Sequence, residues 1–212
     1  ASMATEQVFA ALEDPVPREA LGAYEGFIAR RCAGSPVSYI RGVKEFYGRQ
    51  FEVGPGVLVP RPDTETLVEC VLEVAASLGR EETHVHDCCT GTGCVGISVA
   101  CECGCRVTAS DISPEAVAFA RRNATRLKPP AFQVWLGDLL EPLRLDLQSG
   151  GEPPQIIAAN PPYVTDNEVE HLTERGWPEP VLSLAGGADG LDIVRRLARE
   201  AAACLRNGGW LM

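Results

Sequence analysis

Asn160-Pro161-Pro162-Tyr163 holds the residue types in this 212-residue chain best placed to do chemistry. It follows the apolar run Ile156-Ile157-Ala158-Ala159, which reads as a buried parallel strand. Two prolines with fixed φ and no N–H cannot continue a sheet. They also push Asn160 and Pro161 towards extended conformations. A stiff segment results at the carboxyl end of a strand, the edge where open α/β sheets bind ligands. It presents one carboxamide, one row of carbonyls and one aromatic ring. Taken alone, the same four residues would serve equally as a proline-rich turn.

The chemistry they suit is methyl transfer to an amide or amino nitrogen. Such a nitrogen is a poor nucleophile because its lone pair is delocalised. The Asn160 side-chain oxygen and the Pro161 carbonyl can each accept one N–H, which turns the lone pair towards a methyl donor and stabilises the positive charge growing on nitrogen. Tyr163 can pack on the planar group that carries the nitrogen. Asn160, Pro161 and Tyr163 are the candidate catalytic residues, and all four residues, Pro162 included, the candidate substrate-binding segment.

A second group lies earlier. His84-Val85-His86-Asp87-Cys88 reads as a strand, and Cys89-Thr90-Gly91-Thr92-Gly93-Cys94 leads from it into a helix. Gly91 and Gly93 permit positive φ and a close backbone approach to a ligand. The helix start adds a positive dipole end. Asp111 ends the next strand at roughly the 20-residue spacing of an acid that accepts from ribose hydroxyls. Gly91-x-Gly93-x-x-Gly96 also fits a dinucleotide fingerprint. Asp138, at the end of a third strand, faces the same crevice and can meet an adenine. Loop and acids together predict an adenosine-type ligand; NAD and S-adenosylmethionine both fit. A hydride-transferring site has no use for Asn160 to Tyr163, so a nicotinamide oxidoreductase leaves that segment without a function.

These residues need a frame. Residues 5–33 are helical in pattern, with Val8, Phe9 and Leu12 in one apolar cluster and Leu21, Tyr24, Phe27 and Ile28 in a second, broken at Asp14-Pro15-Val16-Pro17. Residues 43–47 and 50–53 predict a β-hairpin joined at Gly48. A helix follows, with Asp63 or Thr64 as N-cap and Leu67, Val68, Val71, Leu72 and Ala75 as its apolar stripe. From Thr83 strand and helix alternate: strands at 84–88, 106–110, 132–136 and 156–159, a fifth opening at Trp210, and helices at 95–101, 114–127 and 191–205. Alternation of this kind predicts an α/β fold, a mostly parallel sheet with helices on both faces. The expected division is a helical segment over 1–35, a linker and hairpin over 36–62, and a catalytic domain over 63–212. Ala1-Ser2 before Met3 reads as a vector scar. The barely begun strand at the end reads as a domain cut short.

Composition narrows the class. The chain is 45% hydrophobic and 23% charged, which is globular rather than disordered. A net charge of −10 gives no reason to expect a broad nucleic-acid surface. Nine cysteines, an odd number set largely within strands and helices, predict free thiols in a reducing compartment, the cytoplasm or an organellar matrix such as the mitochondrial one. Cys101-Glu102-Cys103-Gly104-Cys105 lacks the pair spacing of a zinc site, so no metal is expected. No apolar run has the ~20 residues of a membrane span.

The chain resembles the release-factor glutamine methyltransferases over nearly its whole length. The resemblance rests on Arg30-Arg31-x-x-Gly34-x-Pro36-x-x-Tyr39-Ile40-x-Gly42, Glu45-Phe46-Tyr47-Gly48 and Val59-Pro60-Arg61-Pro62-Asp63-Thr64-Glu65. It continues in Asp87 to Gly93, Asp111, Asn160 to Tyr163, Glu179-Pro180 and Gly187-Ala188-Asp189-Gly190-Leu191. The Asn160 tetrapeptide alone is shared with adenine-N6 and other amino methyltransferases; the segment from Pro60 to Glu65 is more specific. The resemblance implies a Rossmann-like class I methyltransferase fold behind an N-terminal helical remnant. It implies S-adenosylmethionine as cofactor and S-adenosylhomocysteine as product, with a release factor as protein partner. Methylation would fall on the side-chain nitrogen of the Gln in its Gly-Gly-Gln motif. It places the cofactor on Cys89, Thr90, Gly91, Thr92, Gly93, Asp111, Asp138, Leu139 and Asn160, and the substrate Gln on Asn160 to Tyr163. Cys89 stands where the family commonly has Gly, and Leu139 where it can carry an aromatic residue. Other readings are a nucleic-acid amino methyltransferase and a non-catalytic binding module.

Overall fold

A computed structural model describes residues 9–11, 15–79 and 82–212. The expected Val8, Leu12 and Asp14 positions lie outside the described residues. The first long helix, α1, spans Arg18–Cys32, and a short α2 spans Val37–Arg41. Leu21, Tyr24, Phe27 and Ile28 of α1 are all exposed.

The hairpin is β1 (Val43–Phe46) and β2 (Arg49–Glu52), antiparallel, with Phe46 opposite Arg49. Its two-residue turn puts Tyr47 at φ 48° and Gly48 at φ 70°, the double left-handed pattern that matches strand twist. Phe46 and Phe51 meet edge to face at 6.0 Å and are buried with Val68, Val71 and Ala75 of α3 (Glu65–Leu78). Asn123, fully buried, receives the Glu52 N–H on Oδ1 and donates Nδ2–H to the carbonyls of Glu52 and Thr92. The hairpin is therefore fixed to the main core and to the glycine loop.

The main sheet has five parallel strands in the order β5-β4-β3-β6-β7. They are β3 (His84–Cys88), β4 (Arg106–Asp111), β5 (Phe132–Leu136), β6 (Ile156–Ala159) and β7 (Trp210–Leu211). Central β3 is buried throughout. Its side chains alternate between faces, as a strand must. Val85 packs with Ile156 and Ala158 under α3 and α4 (Cys94–Cys103). Cys88 packs with Ile157 under α6 (Glu141–Gln148) and α8 (Asp192–Cys204). α5 (Pro114–Leu127) covers β4 and β5 through Val117 and Ala120, and starts as expected from a Ser113 side-chain cap.

Strand positions agree with the sequence reading to within a residue, and three helices are additional: α2, α6 and α7 (Asp166–Glu174). The left-handed Gly104 at the end of α4 brings Cys103 and Cys105 together, their Cα atoms 5.3 Å apart. The other seven cysteines are free. Among the described residues no helix is long and apolar enough to cross a membrane.

From β3 the chain steps to β4 on one side; after β5 it returns to β6 on the other. The carboxyl ends of β3 and β6 thus flank the topological switch point, where doubly wound sheets open a crevice.

Candidate functional site

At that switch point lies a cavity of about 330 Å³. Its wall includes Cys89, Thr90, Gly91, Thr92, Asp111, Asp138, Leu139, Asn160 and Pro162. Gly93 stands behind it as the left-handed N-cap of α4, where an added Cβ would come within 2.8 Å of Ile97. Pro161 is not part of the wall. Tyr163 is 64% exposed and turns to a neighbouring hollow with Val164, His171 and Leu172. The structure therefore brings the expected cofactor residues other than Gly93 to one wall, and sets Asn160 and Pro162 apart from Tyr163.

Three consecutive strands each bring a carboxylate to the cavity. Asp87 is buried and accepts from Thr90 Oγ1 at 2.5 Å and from the Gly96 N–H at 2.9 Å. Burial pushes its carboxyl up to about 6, against the pull of those two donors. A Cβ on Gly96 would sit 2.9 Å from Asp87 Oδ2, so this close approach requires glycine. Asp111 receives the Gly91 N–H on one oxygen (2.8 Å) and the Ser113 N–H on the other (2.9 Å). Burial holds it above its usual range, while the same N–H donors draw it down. Asp138 pairs with Arg196 of α8 at 2.6 Å.

The opposite wall comes from the segment after the hairpin: Gly56, Val57, Leu58, Pro60, Arg61 and Thr64. Its anchor is Glu179, buried, which accepts from the Val59 N–H (2.9 Å), from Trp177 Nε1 (3.0 Å) and from the Arg61 guanidinium. Tyr39 donates its hydroxyl to the Val57 carbonyl, and burial raises that phenol to about 12, with Glu179 adding to the rise. Asn160 reaches this wall, its Nδ2 lying 3.4 Å from Thr64 Oγ1. After Tyr163 the chain is locked: the Val164 N–H meets the Leu184 carbonyl, the Gly186 N–H meets the Val164 carbonyl, and Gly186 and Gly190 pack on the Tyr163 backbone.

Residue types alone did not assign Arg196, Arg61, Thr64 and Glu179 to a site. Glu179-Pro180 and the Pro60 to Glu65 segment carried only the resemblance. Arg196 carried no signal, since an arginine on an amphipathic helix is ordinarily solvated.

Electrostatics select the ligand class. Both guanidinium groups in the wall, Arg61 and Arg196, are already paired with carboxylates, and among the described residues no cation pairs with Asp87 or Asp111. Such a cavity favours a cationic ligand. A dinucleotide needs the start of the glycine-loop helix for its pyrophosphate. Here the Asp87 carboxylate already accepts the Gly96 N–H in the first turn of α4. The donor set thus fits an adenosine carrying positive charge and disfavours a pyrophosphate.

A family model described as "Methyltransferase domain" matches residues 85–172, and one described as "PrmC N-terminal domain" matches residues 2–42. A protein named release factor glutamine methyltransferase from Koribacter versatilis is 42% identical over 191 residues, which cover 89% of this chain and 65% of that one. One of the same name from Moorella thermoacetica is 40% identical over 212 residues, covering 99% of this chain and 72% of that one. The chain thus spans about two thirds of the length of these relatives. Among solved structures, the Thermus thermophilus 16S rRNA N2 G1207 methyltransferase in complex with AdoMet and guanosine aligns with TM-score 0.56 at 21% identity, over 80% of this chain and 40% of that one. A methyltransferase from Pyrococcus furiosus aligns with TM-score 0.53 at 19% identity, over 89% of this chain and 76% of that one. The fold is the Rossmann-like methyltransferase fold expected from the sequence.

Proposed function

Because the chain belongs to the release factor glutamine methyltransferase family, we propose that it methylates the side-chain nitrogen of the Gln in the Gly-Gly-Gln motif of a peptide-chain release factor. S-adenosylmethionine is the methyl donor. The observation that carries the reading is the meeting, in one cavity at the switch point, of an acid-edged glycine loop with the Asn160 carboxamide. Bound there, S-adenosylmethionine supplies a methyl group activated by a sulfonium.

The protein's own part is binding and orientation. Asp111 accepts from ribose hydroxyls with the lone pairs that Gly91 and Ser113 leave free. Asp138 and Leu139 face the adenine. Asp87 and Asp111 favour the cation electrostatically. Asn160 Oδ1 and the Pro161 carbonyl each hold one N–H of the substrate carboxamide, so that the nitrogen lone pair points at the methyl carbon. With the cofactor held there, methyl transfer to that nitrogen would leave its sulfur as a neutral thioether, and the nitrogen would lose a proton to solvent. Tyr163, on the rim, meets the substrate chain rather than the cofactor. Free thiols suit the cytosol or an organellar matrix.

Replacing Asn160 by Ala tests this. Methyl transfer to release-factor Gln, read by peptide mass, is expected to fall by about a hundredfold or more. S-adenosylhomocysteine affinity by calorimetry should change by no more than about tenfold, the cost of a single neutral hydrogen bond. Methyl label found only on nucleic acid would favour the amino methyltransferase alternative and sink the proposal.

A further inference from the structure

A carboxamide has two edges of opposite sense: Oδ1 accepts and Nδ2 donates. An Asn that must accept N–H groups from its substrate works in only one of its two flips. Asn160 stands at the end of β6 with Nδ2 3.4 Å from Thr64 Oγ1, a contact between residues 96 positions apart.

Thr64 occupies the N-cap position of α3, where a hydroxyl ordinarily accepts from its own helix's N–H groups. Here it makes no such bond. The 3-10 turn Pro62–Thr64 leads directly into the helix, and the Thr64 side chain is left for the cavity wall. Its position is fixed from both sides. Arg61 is tied to buried Glu179, and Glu65 Oε1 accepts the Tyr47 N–H at 2.9 Å.

We propose that Thr64 is a positioning residue, whose hydroxyl takes the Asn160 Nδ2–H and so presents Oδ1 to the substrate nitrogen. The assignment rests on the glutamine-methylation reading. A hydroxyl can also donate to Oδ1, but that flip would set the Asn160 N–H against the substrate N–H and leave both donors unmatched. With Thr64 accepting one Nδ2–H, Oδ1 is left to accept the substrate N–H. The segment from Pro60 to Glu65 is then part of the site and not a connector, which gives a physical reason for its specific sequence.

The test compares Thr64→Val, nearly the same shape without the hydroxyl, with Thr64→Ser, which keeps it. Thr64→Val should lower kcat on a release factor by about ten- to a hundredfold, the cost of a misplaced orienting group. KM and S-adenosylhomocysteine affinity should stay near wild type, and Thr64→Ser should recover most of kcat. Full kcat in Thr64→Val, or equal losses in both variants, overturns the proposal. If the wild-type protein methylates no release-factor Gln, the functional reading fails, and side-chain amide resonances of isotope-labelled protein decide Thr64 instead. The Asn160 amide signal, assigned by its loss in Asn160→Asp, should move in Thr64→Val and hold in Thr64→Ser. An unmoved signal in Thr64→Val overturns the proposal on its own.

Discussion

Cys89 has φ 60°, a left-handed backbone that costs a non-glycine residue about 1–2 kcal/mol. The resemblance marked this position as one where the family commonly has Gly, and the backbone supplies the reason: the chain must turn sharply out of β3 to start the loop. Cys89→Gly should relieve the strain, while added freedom in the unfolded chain takes back about 0.5–1 kcal/mol. A net gain of about 0.5–1 kcal/mol is expected, read as a higher urea midpoint at unchanged slope. Cys89→Val, β-branched, should move the midpoint the other way. Asn160, Asp111 and Gly91 were legible as site residues because each stands at a strand end, where type and position coincide. Thr64 was legible only as a helix cap. Its contact with Asn160 spans the fold, and no local pattern encodes a partner that far away.

β6 was readable as an unbroken apolar run. β3, β4 and β5 were readable by their alternation with helices, although β3 and β4 carry buried polar residues, and the surface helices by their 3.6-residue period. The short α7 was missed although Thr165 and Glu168 form a capping box at its start, a signal visible as Thr-x-x-Glu. The wall from Gly56 to Thr64 could not be read as an element at all. It has no regular structure beyond one turn and owes its shape to Glu179. That carboxylate serves an N–H, an indole and a guanidinium while almost wholly buried. Glu179→Gln keeps the shape but removes the charge and turns one acceptor into a donor. A loss of about 2 kcal/mol in stability is expected, the cost of leaving buried partners unmatched. Weaker S-adenosylhomocysteine binding should accompany it as the wall loosens. The exposed Arg49–Glu102 pair makes the contrast. Glu102→Gln should cost within about 0.5 kcal/mol and leave binding alone, as exposed ion pairs do. Equal effects of the two substitutions would show that Glu179 anchors nothing.

Across the molecule, a buried polar chain ties the sheet to the cavity. Ser110 donates to the Leu139 carbonyl, so its oxygen must accept from His86 Nε2–H. Neutral His86 then accepts on Nδ1 from Thr108, whose oxygen accepts from His84 Nε2–H. His84 Nδ1 faces the Glu152 carbonyl at 3.1 Å, and that last link closes only if His84 takes a second proton. Burial opposes this, with Arg106 adding to the effect: His84 is pushed down to about 4, and buried His86 to about 3. Both imidazoles are therefore neutral when folded and protonate near 6.5 when unfolded. Their contribution to stability is complete above pH 6.5 and is lost as pH falls towards 4, because the unfolded chain then binds more protons. Asp87, raised to about 6, acts in the opposite direction between pH 6 and its unfolded value, and Asp111 is raised in the same sense. The exposed carboxylates of Glu168 and Asp189 are lowered by hydrogen bonds, so their contribution is lost only below the usual carboxylate range. Opposing contributions make the absolute slope a poor test and the difference between variants a good one. His86→Gln removes one titrating imidazole. It should lower stability at neutral pH, and between pH 4 and 6 its stability should rise less steeply with pH than wild type by about 1.4 kcal/mol per unit, one proton's worth. Chemical denaturation at several pH values reads the slope independently of the offset. Parallel profiles would mean that His86 does not change its charge on unfolding, and that the chain from Glu152 to the Leu139 carbonyl carries a proton already in the native state.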